Sequence, residues 1–282
     1  MMKRSLRLET GSPEIDAPSA TLLVCSGKGG VGTSIVASLA AIAAAERGER
    51  VLLVDAGESG GSLHLLFGVR PSRSLWMLAD DAVNPIDAFV VVGENLTLVA
   101  ASAGGSVAAP SSPEERRAVL RNLATAYGGF DLVVFDGGSR LDTITAIAQL
   151  TNPAMLLVTS ADRLALAANY ALIKATNLRA DDTVSVVANR HGESVAQEAC
   201  DFLAGACSHF LDRSIAIVGA IPDDPCLQAA VGAGMTVRDA LDGSPAADTM
   251  RGVLTRVIPS RAPAPRAPAM SLPFPSPSRR WS

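Results

Sequence analysis

Seven short, nearly uninterrupted apolar runs mark out the chain: ATLLVC at 20–25, RVLLVD at 50–55, LTLVAA at 96–101, DLVVFD at 131–136, AMLLVTS at 154–160, TVSVVAN at 183–189 and IAIVGAI at 215–221. A strand that is apolar on both sides must be covered on both sides, and the segments between these runs carry the helical pattern that can do so. Helices are expected at 34–47, 113–127, 141–150, 164–178 and 194–211. The pattern predicts a three-layer α/β fold, a mostly parallel sheet of about seven strands with helices on both faces.

A chain of 282 residues, 48% hydrophobic, can bury one large core, and domains of up to roughly 250 residues commonly stay single. Residues 1–19 are polar and broken by Gly11, Pro13 and Pro18, which reads as a flexible arm. The folded domain is expected over 20–258. From 259 to 282 seven prolines exclude a helix and arginines outnumber acids, so a disordered basic tail is expected there.

A net charge of −4 gives no overall drive toward nucleic acid or an anionic membrane. The four cysteines, Cys25, Cys200, Cys207 and Cys226, form no CxxC pair, so neither a zinc site nor a disulfide framework is indicated. Cys200 and Cys207 lie seven apart on an expected helix and read as core or near-core thiols. The longest apolar run, 35–45, is well short of the roughly 20 residues that a spanning helix needs. No secretory signal follows the basic N-terminus. A cytoplasmic protein is expected.

Between the first strand and a long apolar helix lies the loop Gly27, Lys28, Gly29, Gly30, Val31, Gly32, Thr33, Ser34. Glycines there let backbone N–H groups close around an anion, and the helix that follows adds its positive N-terminus. Two site classes fit. Gly27, Gly29 and Gly32 satisfy a dinucleotide-binding GxGxxG, with Asp55 where a ribose-binding acid would stand. The same residues satisfy a P-loop frame in which Thr33 takes the place of the lysine and Ser34 offers a magnesium-binding hydroxyl. The loop alone leaves both open. The strand ending at Asp136 has the form of a Walker B strand, and Lys28 suits a phosphate, which favours the P-loop.

The segment KGGVGTS resembles the deviant Walker A of the MinD/ParA superfamily. So do VLLVDAG, the Asp136 strand, VVANR ending at Arg190, and Ile221, Pro222, Asp223, Asp224. Within that superfamily the stretch HFLDRSIAIVGAIPDDPCLQAAV is most similar to the flagellar-number regulators (FlhG/FleN), with the CpaE/TadZ-like pilus-placing proteins second. The resemblance implies a P-loop NTPase fold with ATP or ADP and magnesium as cofactors. It implies that Lys28 reaches across an ATP-dependent homodimer to the partner's phosphates, and that Asn189, with Pro222 beside it, receives the adenine. It further implies that Ser34, Asp55 and Asp136 serve the metal, and that flagellar or pilus assembly proteins are the partners, reached from the cytoplasm at the inner face of the membrane.

Two departures weaken the expected hydrolysis. The lysine that clamps the β- and γ-phosphates is Thr33, and losing such a charge-assisted contact costs on the order of 1.5–3 kcal/mol. The family's Asp-x-Asp becomes Asp55, Ala56, Gly57, so Glu58 or Asp55 itself would have to position the water. Neither the partner-stimulating N-terminal helix nor the C-terminal amphipathic membrane helix of the flagellar regulators is visible. A slow ATP-dependent switch is therefore expected. An interaction scaffold that holds little or no nucleotide is the alternative, and a dinucleotide-dependent oxidoreductase a remote one.

Overall fold

The structure, a computed structural model, describes residues 20–57, 61–102, 109–176 and 184–259. The expected arm, almost all of the expected tail, and Glu58 lie outside the described residues.

The chain enters at β1 (Ala20–Cys25) and passes through the glycine loop into α1 (Thr33–Glu46) and β2 (Val51–Asp55). A short α2 (Leu63–Leu66) leads, by way of two 3-10 turns, to β3 (Phe89–Gly93) and β4 (Leu96–Val99). From there the chain alternates: α3 (Pro113–Ala124), β5 (Leu132–Gly138), α4 (Leu141–Thr151), β6 (Ala154–Thr159), α5 (Arg163–Ala175), β7 (Val184–Asn189), α6 (Glu193–Leu211) and β8 (Ala216–Ile221). Two helices, α7 (Pro225–Gly232) and α8 (Pro245–Val257), end the described chain.

All eight strands form one sheet in the order β3-β4-β2-β5-β1-β6-β7-β8, parallel throughout except for the antiparallel β3–β4 pair. The expected seven strands are thus eight. The extra one, β3, is a hairpin arm turned at Glu94 and Asn95, with Asn95 in the left-handed region (φ 57°). An antiparallel edge strand needs no helical crossover, so its partly buried Val-Val-Val run escapes a reading tuned to strand–helix alternation.

Two apolar cores sit on the two faces of the sheet. Leu22, Val24, Leu53, Val134, Leu156 and Val187 point to one side, against α1, α7 and α8. Leu23, Leu52, Val133, Phe135, Leu157 and Val186 point to the other, against α3, α4, α5 and α6. The period-two alternation of side chains along each strand divides one apolar run between both cores. Helix α1 is buried almost all round, from Val36 to Ala44, because the sheet lies under it and α8 over it. Cys200 and Cys207 are fully buried in the second core, as expected.

The order of strands positions the site. From the central β1 the chain moves to one side for β2 and β4 and to the other for β6, β7 and β8, and ligands of open α/β sheets bind where that direction reverses, at the carboxyl ends of the strands. The glycine loop leaves β1 at that point.

Candidate functional site

The loop is fixed at three places. The Ser26 amide donates to the Gly138 carbonyl at the end of β5, 2.9 Å away. The Gly27 amide donates to Oδ1 of Asn169 (2.6 Å), whose own amide donates to the Val158 carbonyl (3.1 Å). At the far end Nδ2 of Asn189 donates to the Val31 carbonyl (2.8 Å). Two glycines are required by this packing. A Cβ on Gly27 would lie 2.2 Å from the Ala168 carbonyl oxygen on α5. Gly32 has φ +94°, and its Cβ would lie 2.3 Å from Nδ2 of Asn189.

Gly32 caps α1 with its backbone, and no side chain takes up the first-turn amides. Those amides have no intrahelical acceptor, so the end of α1 meets the loop as a patch of N–H donors with positive dipole. Such a patch accepts phosphate. Thr33, the first residue of the helix, is buried at 9% exposure and brings no charge to it.

Beneath the loop lie the acids. Asp55 and Asp136 stand opposite each other in the β2–β5 register, both almost entirely buried. Asp136 accepts the Ser34 hydroxyl and the Gly138 amide, yet burial, and the Asp55 charge after it, push its carboxyl up to about 6. A divalent cation would offset that penalty, and Ser34 with Asp136 suits magnesium, which keeps several waters and binds the rest of its shell through few protein oxygens and phosphates. Asp55 is used otherwise. Its Oδ1 accepts from Gly57 (3.1 Å) and its Oδ2 from Leu63 (3.0 Å), with further backbone amides from Ser62 and Ala101. Four amides occupy the lone pairs of a carboxylate, so Asp55 holds the chain after β2, whereas Ser34 and Asp136 keep the oxygens that fit a metal.

Lys28 leaves the loop on the other side. Its Nζ lies 3.1 Å from both oxygens of Asp162. Asp162 caps α5 by accepting the Ala165 amide (2.9 Å) and also takes the Ser160 hydroxyl. The Ser160 bond first, then the Ala165 amide and Lys28, hold its carboxyl well below the usual range. Both partners are about two-fifths exposed, at 39% and 44%, so the pair is weak in water.

Beside Asn189 opens a cavity of about 410 Å³, lined by Asn189, Arg190 and Pro222 and floored by Ile35, Leu39 and Leu227. Among the described residues the structure brings together at one end of the sheet those expected at the site, Gly27 to Ser34 with Asn189, Pro222, Asp55 and Asp136. Sequence reasoning missed two members. Asn169 carried a signal, a polar residue on the buried stripe of α5 between Leu166 and Leu172. Asp162 carried a weaker one, an acid in the N-cap position just beyond a central strand.

Against known proteins, the family described as "ParA: NUBPL iron-transfer P-loop NTPase" matches residues 18–258. The antiactivator FleN of Pseudomonas aeruginosa is 26% identical over 243 residues, 85% of this chain and 86% of that protein. The septum site-determining protein MinD of Thermotoga maritima is 25% identical over 232 residues, 77% of this chain and 80% of that one. Among solved structures, MinD of Pyrococcus horikoshii complexed with Mg-ADP matches at TM-score 0.64 and 21% identity, covering 85% of this chain and 96% of its own. The ATP complex of a McdA variant from Cyanothece matches at TM-score 0.66 and 16% identity, covering 87% and 98%. At such identities the solved structures establish the fold. The family match covers nearly all of the described chain, and the chain belongs to the ParA/MinD family of P-loop NTPases.

Proposed function

We propose that the chain is an ATP-binding regulatory switch that helps to place or count a flagellum or pilus, working from the cytoplasm as a nucleotide-dependent homodimer with slow hydrolysis. The observation that carries this reading is the state of Lys28: a cation at the phosphate loop, held by an exposed carboxylate that it can leave. Loop amides and the end of α1 receive the phosphates, Ser34 and Asp136 hold magnesium, and Asn189 and Pro222 take the base. Bound magnesium would neutralise phosphate charge. Lys28, released from Asp162, is then available to the phosphates of a second copy facing the loop. The similarity to FleN and MinD supports a regulatory, positioning role, and the FleN likeness favours the flagellum over the pilus. No described helix is long and apolar enough to cross a membrane.

A second reading is favoured by Thr33 and Gly57: a scaffold that has kept the pocket and lost the nucleotide. Magnesium-dependent ATP binding measured by calorimetry, with Thr33→Lys alongside, separates the two. The switch predicts binding by the natural chain, tightened about tenfold or more by the restored lysine. Binding by Thr33→Lys only would leave the scaffold. In a flagellated host, deletion of the gene should alter flagellar number or placement; unchanged appendages would count against the assignment of process.

A further inference from the structure

The Lys28–Asp162 pair is as firm as the turn that carries Asp162. That turn, between β6 and α5, is bonded largely to itself. The Thr159 hydroxyl donates to the Ser160 carbonyl (2.9 Å), and Asp162 takes the Ser160 hydroxyl and the Ala165 amide. A further bond ties it to the end of β7: the Ala161 amide donates to Nε2 of His191, 2.9 Å away. His191 is itself held from behind. Arg190 takes the left-handed conformation (φ 64°), and the Arg190 and His191 amides both donate to the Ile221 carbonyl at the end of β8 (2.9 and 3.4 Å). The strand end that borders the cavity proposed for the base thus also supplies the acceptor for the turn of Asp162.

An amide can only donate, so Nε2 presents its lone pair, and the imidazole in this contact is neutral with its proton on Nδ1. An imidazolium donates from both nitrogens and cannot keep the Ala161 amide. It offers the adjoining Asp162 carboxylate a second cation in competition with Lys28. The charged side chains on the surrounding segments are Lys28 in the glycine loop, Asp162 and Arg163 at the start of α5, Arg190 and Glu193 on the turn of His191 itself, and Asp223 after β8. Among such side-chain types, imidazole is the one that ordinarily changes charge between about pH 5 and 8. Asp162, its carboxyl held well below the usual range, stays ionised throughout.

We propose that His191 is a positioning residue of the switch: neutral, it holds the β6–α5 turn so that Asp162 keeps Lys28, and protonated, it releases the turn and frees Lys28 for the phosphates of a second copy. The inference rests on the nucleotide-dependent dimer proposed above and adds to it a dependence on pH.

The test is analytical ultracentrifugation of the full chain in saturating Mg-ATP at about pH 6 and about pH 8, with nucleotide binding followed by calorimetry. The proteins are the natural chain, His191→Gln, His191→Ala, Asp162→Asn, and Asp162→Asn combined with His191→Gln. Asp136, pushed up to about 6, titrates in the same span in all of them, so the comparison is between variants. The dimer of the natural chain should tighten about tenfold from the higher pH to the lower, about threefold for each of the two exposed pairs that a dimer opens. His191→Gln, whose Oε1 accepts the Ala161 amide at either pH, should show less than about a twofold change, with the melting temperature of the natural chain at the higher pH. His191→Ala, with no acceptor, should associate more tightly than the natural chain at the higher pH. In the Asp162→Asn background the glutamine substitution should make no difference. An equal pH response in the natural chain and His191→Gln would overturn the assignment. So would an effect of His191→Gln that persists undiminished without the Asp162 charge, because His191 would then act on the dimer surface directly. A natural chain that binds no nucleotide, or stays monomeric with Mg-ATP bound at both pH values, removes the dimer reading and the role of His191 with it, whereas a dimer whose pH response ignores His191 removes only the latter.

Discussion

Asp136 and Asn169 are both buried polar side chains at the site, and they are unequally visible in the sequence. Asp136 ends an apolar strand in a recognised pattern, so the residue types alone mark it. Asn169 is a packing device, and its partners, the Gly27 amide and the Val158 carbonyl, come from segments that only the folded chain brings together. Thr33 and Gly57 are legible as departures, whereas the four amides that occupy Asp55 are not, because backbone donors leave no trace in residue identity. The Asp136 carboxyl carries a prediction. Its value of about 6 stands above the ordinary 3.8, so the folded chain keeps a proton that the unfolded chain has released. Stability without magnesium is therefore fullest below about 3.8 and declines as pH rises through about 6. Asp136→Asn should remove that decline and raise stability at pH 8 in the absence of magnesium by about 3 kcal/mol, a rise in melting temperature of about 6–12 °C. Melts of the two proteins that coincide at pH 8 would show that no unfavourable charge is buried there.

The elements that position the loop are the most legible part of the fold. The helices expected from apolar periodicity lie within a few residues of the observed ones, since each buries a wide stripe against the sheet. The elements that periodicity leaves unassigned have local explanations: β3 pairs antiparallel, and α7 and α8 lie in a segment whose prolines, Pro225 and Pro245, signal breaks in the chain. Each proline in fact sits in the first turn of its helix, where its missing N–H costs nothing. Asp224 joins the two starts, accepting the Leu227 amide (2.9 Å) at one and the Ser244 hydroxyl (2.6 Å) at the other. Helix α8 then covers α1 through Met250, Val253 and Leu254, all buried. Met250→Ala should therefore cost about 2–5 kcal/mol in urea unfolding, as a large-to-small change in a closed core does. A loss below about 0.5 kcal/mol, the range of surface substitutions, would mean that α8 is not a firm part of the domain.

At the scale of the whole molecule, the parallel sheet and its switch point are implied by the succession of strands and helices, and the site falls where such sheets bind ligands. What a single sequence cannot carry is the state of the assembly, which on the proposed reading depends on which partner Lys28 prefers. Asp162→Asn tests this, because asparagine caps a helix about as well as aspartate does while giving up the charge that holds Lys28. With Mg-ATP present, the variant should dimerise at lower protein concentration than the natural chain in analytical ultracentrifugation, with its melting temperature nearly unchanged. An identical monomer–dimer equilibrium would mean that the Lys28–Asp162 pair does not restrain association. Asn189 has a further consequence, since its single amide both borders the cavity proposed for the base and holds the Val31 carbonyl in the glycine loop. On the proposed reading the two ends of a nucleotide would meet one shared hinge: a base that drew the Asn189 amide toward itself would release Val31, and the identity of the base would become a change in the grip on the phosphates.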